Sequence, residues 1–290
     1  MSLISPMVQV VVIGPDNKIY ERQPYSEFIT NPHPNIQAAA YGTTFLDLLT
    51  QEGLLTEKLV LRNIFTGNAH ADATRLCGNL AEALVVRYCN LYPDINRTLA
   101  TYARFGERER KSLDNFQAVG AASKLTANNY PQHYQPSDTQ RDIIWIDKSD
   151  SARQLACVGG NALSSKPAGL QVKASHDGCK YIIPSIRDYF YPILYFDLSD
   201  DWHVVQNELV RRQLPATLIH PDEIMREIKS HLFSYYGIVI SLIRNETSIE
   251  KVIRNAIYAG ESALLAGLSA SELYGFSSII LQAEGASVER

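Results

Sequence analysis

The chain has 290 residues, 46% of them apolar and 20% charged, with a formal net charge of −4. That size and composition fit a globular protein with one large core or two small ones. They exclude a protein that coats nucleic acid through bulk positive charge, and no run approaches the roughly 18 apolar residues of a membrane span.

The opening Met1-Ser2-Leu3-Ile4-Ser5-Pro6 carries neither a basic region nor a long apolar run, so no secretory leader is expected. Residues 7–20 read as a hairpin, with the turn at Gly14-Pro15-Asp16-Asn17. Helices are expected near 43–52 and 55–64. A stronger one covers 79–91, apolar almost all round and therefore buried. Glu82 lies within it, followed by Val85, Val86 and Cys89 on the same stripe. A buried carboxylate must be paired, liganded or protonated; Arg75 and Arg87 are available as ordinary partners.

Residues 98–105 read as a strand and 106–140 as polar and irregular. Between Arg97 and Lys124 six basic residues face three acidic ones, a modest excess that suits either a solvated mixed-charge face or a shallow basic cleft. Strands follow at 142–146, 170–175 and 191–198, with a loop or lid at 157–169. From His220-Pro221-Asp222-Glu223 onward the chain reads as helical, Pro standing at an early helical position. Capping-box spacing at Thr247…Glu250 and Ser269…Glu272 marks two further helix starts. The four cysteines form no Cys-x-x-Cys pair, which argues against a zinc site and fits a reducing, cytoplasmic location. The pattern predicts an α/β (α+β) fold: a mixed sheet flanked by helices, with a helical C-terminal extension. Along the chain this divides into an N-terminal hairpin and helices (1–70), a core (71–210) and the helical extension (211–290), packed as one compact unit.

The chemistry concentrates in two strands. Period-two alternation puts Gln171 and Lys173 on one face of their strand and Leu170, Val172 and Ala174 on the other. Asp142 opens the preceding strand of the core. Polar groups on otherwise apolar strands need a reason, because burying them unpaired is costly. A cation site with a lysine beside it is one reason. Ordinary ones are also open: Asp142 capping a strand or pairing with Arg141 or Lys148, Gln171 satisfying a sheet edge, and Lys173 reaching along the surface to water.

Glu82 on a helix, Asp142 opening a strand, and Gln171-Val172-Lys173 on the next resemble the PD-(D/E)XK nuclease superfamily, and type II restriction endonucleases in particular. The likeness covers about 120 residues, 79–198, through the order helix, three strands, helix, strand. It implies a restriction-endonuclease-like fold and Mg2+-dependent hydrolysis of DNA phosphodiester bonds. Asp142, Gln171, Glu82 and the Val172 carbonyl would then be metal ligands, and Lys173 would orient the attacking water. Arg141 stands where the family usually has proline. Gln171 stands where it usually has an acid, a change some restriction enzymes tolerate. The resemblance further implies double-stranded DNA as substrate, a restriction-modification setting and a homodimer whose two centres serve the two strands. The C-terminal third would supply the dimer contact. Arg108, Arg110, Lys111, Lys124, Asn161, Lys166 and His176 are the expected DNA contacts, being residue types suited to phosphates or base edges. A non-catalytic interaction protein on the same scaffold, or a nuclease for RNA or single-stranded DNA, are the alternatives.

Overall fold

The computed structural model describes residues 8–13, 19–24, 45, 48–49, 51–55, 60–62, 65–159, 166–224, 226–249 and 279–283. In chain order these form β1 (Val8–Ile13), β2 (Ile19–Pro24), α1 (Ala69–Leu91), α2 (Pro93–Ala103), β3 (Phe116–Gly120), α3 (Lys124–Asn129), β4 (Ile143–Asp147), β5 (Gln171–Ser175), α4 (Gly178–Tyr181), β6 (Ile193–Asp197), α5 (Trp202–Arg211), β7 (Leu218–Ile219), α6 (Arg226–Ile243) and β8 (Ile279–Ala283). The mixed α/β class expected from the pattern is present.

The chain divides into two units. One gathers Met1–Thr50, Leu55–Arg62 and Ser241–Arg290. Its sheet has the order β2-β1-β8, with β1 antiparallel to both neighbours. The expected hairpin is there, with β2 extending to Pro24. The C-terminal extension is not wholly helical, because β8 returns to pair with β1. The two ends of the chain, assigned from sequence to separate segments, therefore share one sheet. Leu55 and Leu61 form an antiparallel bridge rather than part of a helix. Phe45, Leu48 and Leu49 are helical and buried, as expected for 43–52. The helix start expected at Ser269 and the loop residue Asn161 lie outside the described residues.

The second unit, Gln51–Leu54 with Asn63–Ile240, carries the residues of interest. Asn68 starts α1 by accepting the Ala71 amide on its side chain (3.2 Å), a cap that satisfies one of the helix's free N–H groups. The helix begins ten residues before the expected position and runs 23 residues. Tyr92 is extended ahead of Pro93, so α1 ends and α2 begins with Pro at its first position. Residues 98–103, expected as strand, belong to α2. The β-branched Thr98 and Thr101 suggested otherwise, but their hydroxyls donate to the carbonyls of Asp94 and Arg97 one turn back. Burial of Ile95, Leu99, Ala100 and Ala103 follows the helical period. A strand does exist downstream: β3, inside the stretch read as irregular.

β3 and β4 are antiparallel, and β5, β6 and β7 are parallel. A single antiparallel bridge, Ile143 to Leu170, joins β4 to the start of β5. All five residues of β4 and of β6 are buried, which explains their near-continuous apolar runs. Helix α1 lies against β3 and β5. Two asparagines tie helices to the β3–β4 pair. The Asn90 amide donates to the Ala118 carbonyl (2.9 Å) and accepts its N–H (3.0 Å). Asn96 accepts the Trp145 indole N–H (2.8 Å) and donates to the Phe116 carbonyl (3.0 Å).

Two outcomes follow. Replacing Asn96, which is buried, with alanine strands the indole N–H and the Phe116 carbonyl; urea unfolding should show a loss of about 2–3 kcal/mol. His231 is buried beside the Tyr88 hydroxyl (2.5 Å), and burial pushes its imidazole from 6.5 down to about 4. The unfolded chain therefore takes up this proton first. Stability should be complete above the unfolded value and fall by about 3 kcal/mol as pH drops toward the folded one. Denaturant titrations of wild type and His231→Gln across that window check this; the variant should show a flatter acid limb.

Candidate active site

The bridge between β4 and β5 is where the site begins. Asp142 donates its N–H to the Leu170 carbonyl (2.9 Å), and Leu170 exchanges both hydrogen bonds with Ile143. Pairing stops there. On an unbroken ladder the Val172 N–H would meet a backbone carbonyl, but it donates to the Asp142 carboxylate instead (2.7 Å). The Gln171 side-chain amide donates to the same oxygen, and the Lys173 ammonium stands 3.9 Å from it. Three consecutive residues thus point three different donors at one carboxylate oxygen. Asp142 and Lys173 are 15% and 16% exposed, so the pair is sheltered but reachable.

Glu82 comes to this group from the middle of α1. Its carboxyl is held well above the usual carboxylate range, first by burial and then by the charges of Asp142 and Glu52, with Lys173 opposing. Asp142 is also raised, by burial; Lys173, the Val172 N–H and the Gln171 amide pull it back. Glu52 accepts from the Ser123 hydroxyl (2.8 Å) and the Lys124 N–H (3.2 Å), and burial raises it too. Three of the ordinary partners considered for these residues are engaged elsewhere: Arg141 pairs with Asp138 (2.8 Å) and Lys148 donates to the Asp114 carbonyl (2.7 Å). Arg75 pairs with Asp72 (3.0 Å).

One atom stands out. Gln171 is 1% exposed, and its carbonyl oxygen Oε1 has no donor. Turning the amide over would aim that oxygen at the Asp142 carboxylate, so the orphan is fixed by the bond on the other side. Leaving a buried acceptor empty costs about 1–3 kcal/mol, and a cation removes that cost. Among the described residues no three His, Cys, Asp or Glu side chains form a metal-holding group. The donor set is instead mixed: the Asp142 and Glu82 carboxylates, Gln171 Oε1, and the Val172 carbonyl, which faces the same open edge as its N–H. All-oxygen donors of this kind suit a hard divalent ion.

Asp142, Gln171, Val172 and Lys173 therefore come together, with Glu82 near enough to feel the charges of Asp142 and Lys173. The expected DNA contacts do not all join them. Lys124 opens α3 beside Glu52, its stem across Gly53. Arg108, Arg110 and Lys111 are exposed after α2, and Lys166 lies over the Phe190 ring (4.0 Å). His176 belongs to another cluster, hydrogen-bonded to Ser199 (3.0 Å) and edge-on to Tyr236 (4.8 Å). Two residues escaped the sequence reading. Glu52 sits in a segment where nothing distinguishes it from a surface acid. Tyr189, whose ring lies 5.2 Å below the Lys173 ammonium, is signalled only by the Tyr-Phe-Tyr run ahead of β6. Comparison with protein-family models, curated proteins and solved structures finds no match to this chain, so the chemistry of these side chains carries the functional argument.

Proposed function

We propose that the protein is a magnesium-dependent DNA endonuclease. The observation that carries this reading is the orphaned Gln171 Oε1 beside Asp142, a buried acceptor with a use for a cation. The order of elements supports it as well: a helix bearing Glu82, an antiparallel set β3–β4–β5, a helical connection and the parallel β6.

Asp142, Gln171 Oε1, the Val172 carbonyl and Glu82 would hold the ion. Magnesium, when bound, supplies charge neutralisation at the phosphate and acidifies water. Lys173 orients the attacking water and stabilises the negative charge that develops on the phosphate oxygens. Tyr189 keeps the ammonium over its ring and out of bulk water. Gln171 fixes the Asp142 carboxylate through its amide hydrogens while presenting its oxygen. Glu82, whose proton is held more tightly by burial and by its acidic neighbours, would release it more readily as positive charge arrives. Cutting both strands of a duplex needs two such centres, so the duplex-cutting form is a homodimer. A second reading, a non-catalytic interaction protein on the same scaffold, draws on the fact that Asp142 is already engaged by three donors.

Purified protein should nick or linearise plasmid DNA with magnesium and not with a chelator. Asp142→Ala and Lys173→Ala should each lower the rate by about 100-fold or more. A wild type that leaves the plasmid intact under these conditions favours the second reading. Independently of turnover, magnesium at about 100 times its dissociation constant should stabilise wild type by about 2.7 kcal/mol, seen as a rise in Tm. Gln171→Leu should abolish that rise.

A further inference from the structure

Beside the site runs a strip in which three successive aromatic rings each face a cation. Tyr189 lies under Lys173, Phe190 under Lys166 (4.0 Å) and Tyr191 under Arg141 (5.9 Å). The strip's backbone is anchored from both sides: the Phe190 N–H donates to Gln140 Oε1 (2.9 Å), and Gln140 Nε2 donates to the Asp188 carbonyl (2.6 Å). Tyr191 is buried and donates its hydroxyl to the Pro167 carbonyl (2.8 Å). Phe190 is different. It is 41% exposed, although Phe105 and Tyr191 meet it edge-on at 5.3 and 4.9 Å. Phe105 holds its place at a conformational cost, with a φ of 57°, a region that bulky residues rarely adopt.

Of the cations on these rings, Arg141 is paired with Asp138 and Lys173 with Asp142; Lys166 carries no such pair among the described residues. Arg104, Lys166 and Arg141 all act on the Cys157 thiol. Burial, and then the nearby charge of Arg110, push the Arg104 guanidinium below its ordinary value. Arg104 Nε is buried with no acceptor. Among the described residues no carboxylate forms an ion pair with Arg104, Arg110 or Lys166. Two arginines and a lysine brought together without an acid want an anion. An exposed aromatic face beside them wants a flat apolar partner.

We infer that Phe190, with Phe105 behind it and Arg104, Arg110 and Lys166 around it, is a platform for an unpaired DNA strand, stacking a base on the ring and holding the neighbouring phosphates. A duplex hides its base faces from such a ring, whereas a single strand offers them. The entering base replaces the Lys166 ammonium on Phe190, and the released ammonium turns to the phosphate. Through Tyr189 and Lys173 the strip is continuous with the hydrolytic site. The inference deepens the endonuclease reading by naming its substrate as a locally single-stranded segment.

Fluorescence anisotropy in a chelator tests it without cleavage. The probes are an oligothymidylate of about 16 nucleotides, the same strand with abasic positions, its duplex and its RNA counterpart. Wild type should prefer the single DNA strand. Phe190→Ala should weaken binding about tenfold with an unchanged salt slope, and Phe190→Trp should restore it. Lys166→Ala should reduce the slope of log K on log salt by about 0.7. The abasic strand should bind wild type as weakly as the normal strand binds Phe190→Ala. Equal binding of duplex, preference for RNA, or indifference to Phe190→Ala overturns the platform, even if plasmid cleavage is observed. Phe190-dependent binding in a protein that never cleaves leaves the platform standing and removes the endonuclease reading.

Discussion

The endonuclease proposal depends on one carboxylate oxygen, Oδ2 of Asp142, and on the place where β4 and β5 part. A strand residue exposes its N–H and C=O to the same edge. While the ladder is closed, both are consumed by the neighbouring strand. Once it opens after Leu170, the edge of β5 offers a free donor and a free acceptor at Val172. Asp142 takes the donor, and Gln171 and Lys173 lean over the same opening. The sheet creates this polar opening by failing to continue.

The charge balance explains why the arrangement is poised rather than settled. Glu82, Asp142 and Glu52 are all raised by burial, and Lys173 is the cation that works against this at two of them. One ammonium cannot neutralise several carboxylates. Left alone, such a group holds its protons more tightly than it would in water. A divalent ion would displace them. The uncharged Gln171 lowers the negative charge to be compensated while keeping an oxygen in place, so a cation held here would meet fewer acids than in an all-carboxylate site.

How much of this was legible in the residues differs from element to element. The apolar runs of β4 and β6 and the alternation in β5 announce buried strands, and Gln171 and Lys173 fall on one face as the period requires. Glu82 is readable as a carboxylate on an apolar stripe, which is unusual enough to matter. α2 was not readable from its Thr and Tyr content, because β-branched side chains bonding back to the preceding turn look like strand formers. The capping role of Pro93 outweighed them. β3 is short, and the side chain of Asn90 completes its pairing from far away in the chain. Glu52 had no local mark at all: its meaning comes from Ser123 and from Glu82, both supplied by tertiary folding. The return of β8 to β1 is likewise long-range pairing that no local pattern encodes.

The amide of Asn90 has a further consequence. By filling both hydrogen-bonding positions of Ala118, it occupies the outer rim of β3 in the way a neighbouring strand would. Sheet rims left bare recruit foreign chains and seed fibrils. Here a single side chain plugs the rim at Ala118, so growth by adding a strand along β3 is blocked at that point.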